Sequence, residues 1–275
     1  LYQFLQQASE QGKATGFVPT MGALHRGHVS LVKRSVAENN LTISSIYVNP
    51  TQFNNRQDFL TYPSVPEEDI QLLTDAGCDL LFMPADADIY PGGTDLAGEQ
   101  YDFGSLATEM EGKFRPGHFT GVAAVVSRLF RIVQPRRAYF GQKDLQQVLI
   151  IKQMAAEQFP ETQVVACPTI READGLAMSS RNRRLTAEER QQAPLLYQVL
   201  QEARTQLRAG QKPDEVKQRL SAKIDNHPDF TLEYLEVANV ASLLPAGPHT
   251  RPGQMAVLVA AQLGSARLID NVLVG

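Results

Sequence analysis

Two histidines stand three residues apart in PTMGALHRGHVSLV, residues 19–32, where His25 and His28 share a short stretch with Gly22 and Gly27. A strand-like run, ATGFV at 14–18, comes before them and an apolar-periodic stretch follows, so the segment reads as strand, glycine turn, helix. Unpaired backbone N–H groups and the positive end of the helix dipole make such a junction attractive to anions, phosphate above all. Gly22 and Gly27 let backbone approach a ligand where a Cβ would collide. His25 and His28 are spaced to project to one side, toward the same anion. Imidazole N–H donors suit the charge that builds on a phosphate in a transition state. The helix N-terminus disfavours protonated imidazole, which makes a neutral donor the expected form of at least one of them. A surface turn with incidental histidines is the competing reading; it suits an isolated H-x-x-H better than this whole run. Neither G-x-x-x-x-G-K-[ST] nor a G-x-G-x-x-G after the first strand is present, so a nucleotide site here must use the histidine turn.

The elements that must hold this turn alternate. Between Lys13 and about Pro168, strands are expected at 14–18, 41–48, 80–83, 138–141 and 163–168. Helices are expected from Gly27 to Asn39, with Val29, Leu31, Val32 and Val36 inward, and from a Ser64–Glu67 capping box to about Ala76. FTGVAAVVSRLFRIV, 119–133, predicts a helix buried on most sides, and DLQQVLIIKQMAAEQF a further helix. The fold class is therefore α/β, a Rossmann-like parallel sheet domain over 1–169 with ligands at the C-terminal ends of its strands. After READGLAMSSRNRRL the pattern changes to a smaller α+β C-terminal domain, 170–275. Thr186 and Glu189 form a capping box opening a long helix to about Ala209; another helix follows Pro213, and TLEYLEVANV, QMAVLVAAQL and SARLIDNVLV read as three strands.

Composition narrows the class. With 275 residues, 43% apolar and 20% charged, the chain can bury a sizeable core without staples. A net charge of −4 argues against a nucleic-acid partner. No apolar run approaches the ~18 residues of a membrane span, and LYQFLQQASEQGK lacks the features of a signal peptide, reading instead as the end of an amphipathic helix at a trimmed start. Cys78 and Cys167, two cysteines without metal-ligand spacing, fit core positions in a reduced, cytoplasmic protein.

H-x-G-H after a first strand is similar to the mark of the nucleotidylyl-transferase superfamily, whose members clamp a triphosphate with a second loop late in the chain, often K-M-S-K-S. Met178-Ser179-Ser180-Arg181 stands where that loop is expected, and two hydroxyls with a guanidinium make a phosphate grip. More narrowly, PTMGALHRGH, YVNPTQF, RPGHFTGV, FGQKDLQQ and PTIREADGLAMSSRN occur in the order and spacing of the pantothenate synthetase (pantoate–β-alanine ligase) family, which the chain resembles over nearly its whole length. That resemblance implies ATP-dependent condensation of (R)-pantoate with β-alanine through a pantoyl adenylate, giving pantothenate, AMP and diphosphate.

It also implies roles for residues. Pro19, Thr20, Met21, Gly22, Ala23, Leu24, His25, Arg26, Gly27 and His28 would bind ATP, His28 as proton donor, with His25 and Lys143 completing the catalytic set. Gly141, Gln142, Lys143 and Asp144 would meet ATP at a strand end, Lys143 on phosphate and Asp144 nearer the ribose. Ile170 would lend adenine a backbone contact, and Met178, Ser179, Ser180 and Arg181 would form the phosphate loop. Gln52 and Gln147, assisted by Asn49, would hold pantoate, Gln52 lying beside the route of β-alanine; an amide offers a hydroxyl both donor and acceptor. Gln142 departs from the family's frequent Glu and removes a charge, while Lys143 and Asp144 are intact.

Glu68 and Asp69 match acidic positions that help place Mg²⁺, the implied cofactor; favourable helix-dipole chemistry is the other reading of PEED. Lys113, Arg115 and His118 sit in EGKFRPGHF, either a lid or an exposed loop. A homodimer is implied, with the strand LTISSIYV contributing, together with small-molecule substrates and no nucleic-acid or membrane partner. Three rival classes remain. Another nucleotidylyl transferase would lack the paired glutamines, a class I aminoacyl-tRNA synthetase would need an RNA-binding appendage, and a non-catalytic nucleotide binder would not need intact His28, Lys143 and Arg181.

Overall fold

The computed structural model describes residues 1–96 and 98–275, folded as two compact units. The first comprises Leu1–Phe103, Arg115–Gln142 and Gln147–Pro168. In it β1 (Thr15–Thr20), β2 (Leu41–Ile46), β3 (Leu80–Phe82), β4 (Arg137–Gly141) and β5 (Gln163–Cys167) form a parallel sheet in the order β3-β2-β1-β4-β5. The helices are α1 (Tyr2–Glu10), α2 (Arg26–Glu38), α3 (Pro66–Asp75), α4 (His118–Val133) and, from Gln147 on, α5 (Leu145–Gln158), with short turns of helix between them. Side chains alternate across a strand, and Phe17 and Val18 on β1 are both fully buried, so helices cover both faces. Phe17 meets Phe130 of α4 edge-on, while Val18 packs with Leu31 and Val32 of α2.

Strand order reverses between β1 and β4, the switch point where parallel sheets bind ligands. The two strands pair only at Gly16–Arg137 and Phe17–Ala138, then part. Pro19 contributes to that parting. The Thr15 carbonyl accepts from Arg136 N–H and the Thr20 carbonyl from Tyr47 N–H, so alternation turns Pro19 toward β4, where its missing N–H leaves no bond to make.

Three local expectations need correction. Ser35, not Val36, faces the sheet from α2: Ser35 is fully buried with its Oγ 2.8 Å from Thr42 Oγ1, in space left by Gly16, while Val36 is exposed. The helix α3 has Val65, not Ser64, as its N-cap and no side-chain cap; Pro66 starts it, its missing N–H being one the first turn leaves unpaired anyway. The Thr186–Glu189 capping box forms, but the long helix beyond it breaks at Pro194 into α6 (Ala187–Gln192) and α7 (Leu195–Arg208). Proline's ring and absent N–H disrupt the helical ladder there.

The second unit takes Thr169–Gly275 together with Gly104–Phe114 and Lys143–Gln146. Its strands β6 (Phe230–Asn239), β7 (Met255–Leu263) and β8 (Ala266–Leu273) form an antiparallel sheet in that order. Leu196, Val199 and Leu200 of α7 and Leu220 and Ile224 of α8 (Pro213–Asp225) share a core with Val257 and Val259 of β7. The two early segments are fastened by polar side chains. Gln146 donates to the Leu106 and Glu109 carbonyls and accepts from Glu111 N–H. The buried Glu111 carboxylate accepts from Tyr234 Oη at 2.8 Å and from Arg267 at 2.6 and 2.8 Å. No helix among the described residues is long and apolar enough to cross a membrane.

Candidate active site

In the first unit the chain leaves β1 at Thr20 and turns through Gly22 (φ +79°) and Ala23 (φ +48°), both left-handed. A Cβ on Gly22 would meet Asp69 Oδ2 at 3.0 Å, so glycine suits both the angle and the space. Asp69 reaches in from α3, 1% exposed, and its two carboxylate oxygens accept the Ala23 and Leu24 N–H groups at 2.8 and 2.6 Å. Those bonds hold a non-glycine residue in an unfavourable conformation.

The turn delivers His25 as the N-cap of α2, and the two histidines form a capping box. His25 Nδ1 accepts from Gly27 N–H at 3.1 Å, and His28 Nδ1 accepts from His25 N–H at 3.3 Å. An imidazole nitrogen that accepts carries no proton, so each neutral ring bears its N–H at Nε2. The ring centroids lie 4.0 Å apart, side by side at the end of β1. Both rings are thus tautomerically set donors. Gly27 lies inside the first turn of α2 and its N–H donates to His25 Nδ1.

The loop after β2 brings Asn49 and Gln52 to the same place. Asn49, 1% exposed, accepts from Tyr90 Oη at 2.8 Å and from Thr51 Oγ1 at 3.0 Å. Its Nδ2 donates to Gln52 Oε1 at 3.2 Å and to the Gly121 carbonyl at 3.1 Å. Gln52 Nε2 points at Met21 Sδ, 2.8 Å away, which ties the glutamine to the histidine turn. Gly141 and Gln142 leave the sheet half-buried at the end of β4, and Gln147 is half-buried on the first turn of α5. Of the EGKFRPGHF residues, Lys113 is exposed, Arg115 half-buried and His118 buried. His118 faces the backbone of Gln52 and so is not an exposed-loop residue.

The second unit carries the remaining residues. Lys143 Nζ lies 3.4 Å from Asp144 Oδ1, and the Lys143 carbonyl accepts from Asn271 Nδ2 at 2.8 Å. READGLAM folds back on itself: Arg171 bridges to Ala177, Met178 N–H donates to the Ile170 carbonyl, and Gly175 (φ +94°) makes the turn. Ile170 and Met178 are thereby paired. Ser179 caps the following turn, Ser180–Arg184, its Oγ accepting from Arg181 N–H; Ser180 is buried and Arg181 half-buried. Arg171 anchors the hairpin. Its guanidinium stacks 3.9 Å over the Tyr197 ring and grips Asp270 on β8 at 2.6 and 2.9 Å. Neighbouring β8 residues therefore serve both pieces, Asp270 the hairpin and Asn271 the Lys143 backbone.

Of these anchors, Arg171, Asp270 and Asn271 were not among the expected holders of the site, and Asp69 was expected only as an acidic position helping to place Mg²⁺. An Asp-Asn pair inside the apolar strand SARLIDNVLV was the available signal, since a charge buried in a strand needs a partner. Nothing in the sequence named that partner.

The two acidic candidates are placed differently. Asp69 gives both oxygens to backbone N–H groups, and Glu68 is exposed on the first turn of α3. Among the described residues no three His, Cys, Asp or Glu side chains are grouped to hold an ion. Cys78 and Cys167 are unpaired, and burial pushes both thiols up, away from the reactive thiolate.

A family model described as pantoate–β-alanine ligase matches residues 1–273. The chain is 46% identical over 270 residues to the pantothenate synthetase of Herpetosiphon aurantiacus, covering 98% of this chain and 96% of that protein. It is similar to the crystal structure of pantothenate synthetase from Thermus thermophilus, with TM-score 0.89, 44% identity, and 95% and 93% of the two chains covered. The pantoate–β-alanine ligase of Francisella tularensis, complexed with beta-gamma ATP and beta-alanine, matches with TM-score 0.79 and 37% identity over 99% of this chain and 95% of that one.

Proposed function

Because this chain belongs to the pantoate–β-alanine ligase family, we propose that it condenses (R)-pantoate with β-alanine, converting ATP to AMP and diphosphate. A pantoate carboxylate oxygen attacks the α-phosphorus and diphosphate departs. The β-alanine amine then attacks the acyl carbon of the pantoyl adenylate and AMP leaves with the carboxylate oxygen. The observation that carries this reading is the paired histidine cap: both Nδ1 atoms accept backbone N–H groups, which puts a proton on both Nε2 atoms at a strand end and a helix start. Such a pair suits an oxyanion gaining charge as diphosphate leaves.

In this reading residues Pro19 to His28 line the nucleotide, His28 donates to phosphate oxygen, and His25 and Lys143 add to the stabilisation. Gly141 to Asp144, Ile170 and Met178 to Arg181 complete the ATP contacts. Gln52 and Gln147, with Asn49 behind Gln52, hold the pantoate hydroxyls. A thioether is a weak acceptor, so a hydroxyl replaces Met21 Sδ at the Gln52 amide with little loss. ATP brings Mg²⁺ with it as its complex, the ion riding on the phosphates with few protein ligands. We further propose a cytoplasmic enzyme, as two unpaired cysteines suit a reducing compartment, and a homodimer. The LTISSIYV strand does not serve that dimer, because β2 is paired on both sides and buried within the sheet.

ATP–diphosphate exchange across a panel of carboxylic acids, without amine, tests the reaction. Exchange confined to pantoate is the expected result. Exchange with an amino acid, or with no acid at all, overturns the reading.

A further inference from the structure

We propose that His118 is a positioning residue for Gln52, setting the backbone from which that side chain reaches pantoate. The inference rests on the reading that Gln52 holds pantoate. RPGHFTGV supplies the support. His118, 6% exposed at the start of α4, places Nδ1 2.9 Å from the Gln52 carbonyl oxygen and Nε2 3.1 Å from Arg115 Nη1. A guanidinium only donates, so His118 Nε2 accepts and the ring proton lies on Nδ1, where it donates to Gln52. Arg115 Nη2 donates to the same carbonyl at 3.3 Å, so both lone pairs of that oxygen are engaged.

Other residues of the motif close the same contact. Asn54 Nδ2 donates to the Pro116 carbonyl, and Asn49 Nδ2 to that of Gly121. A Cβ on Gly121 would stand 2.4 Å from the Thr51 carbonyl oxygen, so only glycine lets the helix come this close to the loop. Gln52 is thereby held on its backbone by His118 and Arg115 and on its side-chain oxygen by Asn49. Losing the His118 bond frees the peptide and blurs the amide's aim, which acts on pantoate binding and not on the nucleotide.

The histidine's two nitrogens make this testable. Asparagine keeps a donor where Nδ1 stood, and glutamine carries its amide to the Nε2 position. We expect His118→Ala to raise the KM for pantoate roughly tenfold while the KM for ATP stays within about twofold. His118→Asn restores the pantoate KM to within about threefold of the parent, and His118→Gln does not. Gln52→Ala is the control. If it leaves the pantoate KM unmoved, the assignment of Gln52 fails and the inference falls with it. If it raises that KM and His118→Ala does not, the inference alone falls. A variant set in which pantoate and ATP KM rise together also overturns it. Should His118→Ala fail to fold, the contrast between His118→Asn and His118→Gln in thermally intact protein decides.

Discussion

An imidazole carries an acceptor and a donor on different edges, and the helix start uses that property twice. Serine and glutamate, the ordinary capping pair, would satisfy the same backbone groups but would present no N–H outward. His25 and His28 cap the helix with Nδ1 and keep the proton on Nε2. The two tasks are separable by substitution. His28→Asn retains an oxygen able to accept from His25 N–H but lacks the distal donor. It is expected to melt like the parent while pantoate-dependent ATP–diphosphate exchange slows roughly 10²-fold, the scale of one transition-state donor. Exchange within a few-fold of the parent rejects the catalytic role. Gln147→Ala belongs to the same scale: the pantoate KM should rise with the ATP KM unmoved, and steady-state titration of each substrate reads it directly.

Elements carry these residues through buried polar anchors. Asp69 spans from α3 to the histidine turn and gives each oxygen to an amide. Asp69→Ala leaves two buried N–H groups unsatisfied, a loss of roughly 2–6 kcal/mol at about 1–3 each. Urea unfolding should show that loss, and exchange activity should fall with it because the turn no longer holds Ala23 left-handed. A tenfold rise in Mg²⁺ should not restore activity; restoration would return Asp69 to the role of metal ligand. On β8, Asn271→Ala removes the bond to the Lys143 carbonyl and is expected to raise the KM for ATP several-fold with that for pantoate unchanged.

At the scale of the whole molecule the buried tyrosines set the alkaline limit. Burial first, and then the neighbouring acid, raise Tyr47 and Tyr234, while Tyr139 is pushed up to about 12 chiefly by burial. These phenols stay protonated when folded but ionise near their ordinary value of about 10 once the chain unfolds. Their contribution is therefore fully present below about pH 10 and is lost as pH rises, for Tyr139 up to about 12. Stability should fall by about 1.4 kcal/mol per pH unit for each such group across that window. Chemical unfolding at successive pH values measures the slope, and Tyr139→Phe should flatten it by close to one proton; an unchanged slope counts against the assignment.

The alternation of strands and helices, the histidine turn at the end of β1 and the late M-S-S-R loop were all legible in the sequence. Each is a local pattern: period, glycine placement and ordered spacing survive without knowledge of contacts. The break at Pro194 was equally local and stood in plain view within a periodic helix. Tertiary structure alone decided the rest. That Asp69 binds the amides of the histidine turn, that Arg171 answers Asp270 across 99 positions, and that His118 turns inward to Gln52 depend on groups distant in sequence. A titratable side chain has no fixed role until its partners are known. Burial and hydrogen bonding then select the partner, the tautomer and the charge that the residue's type leaves open.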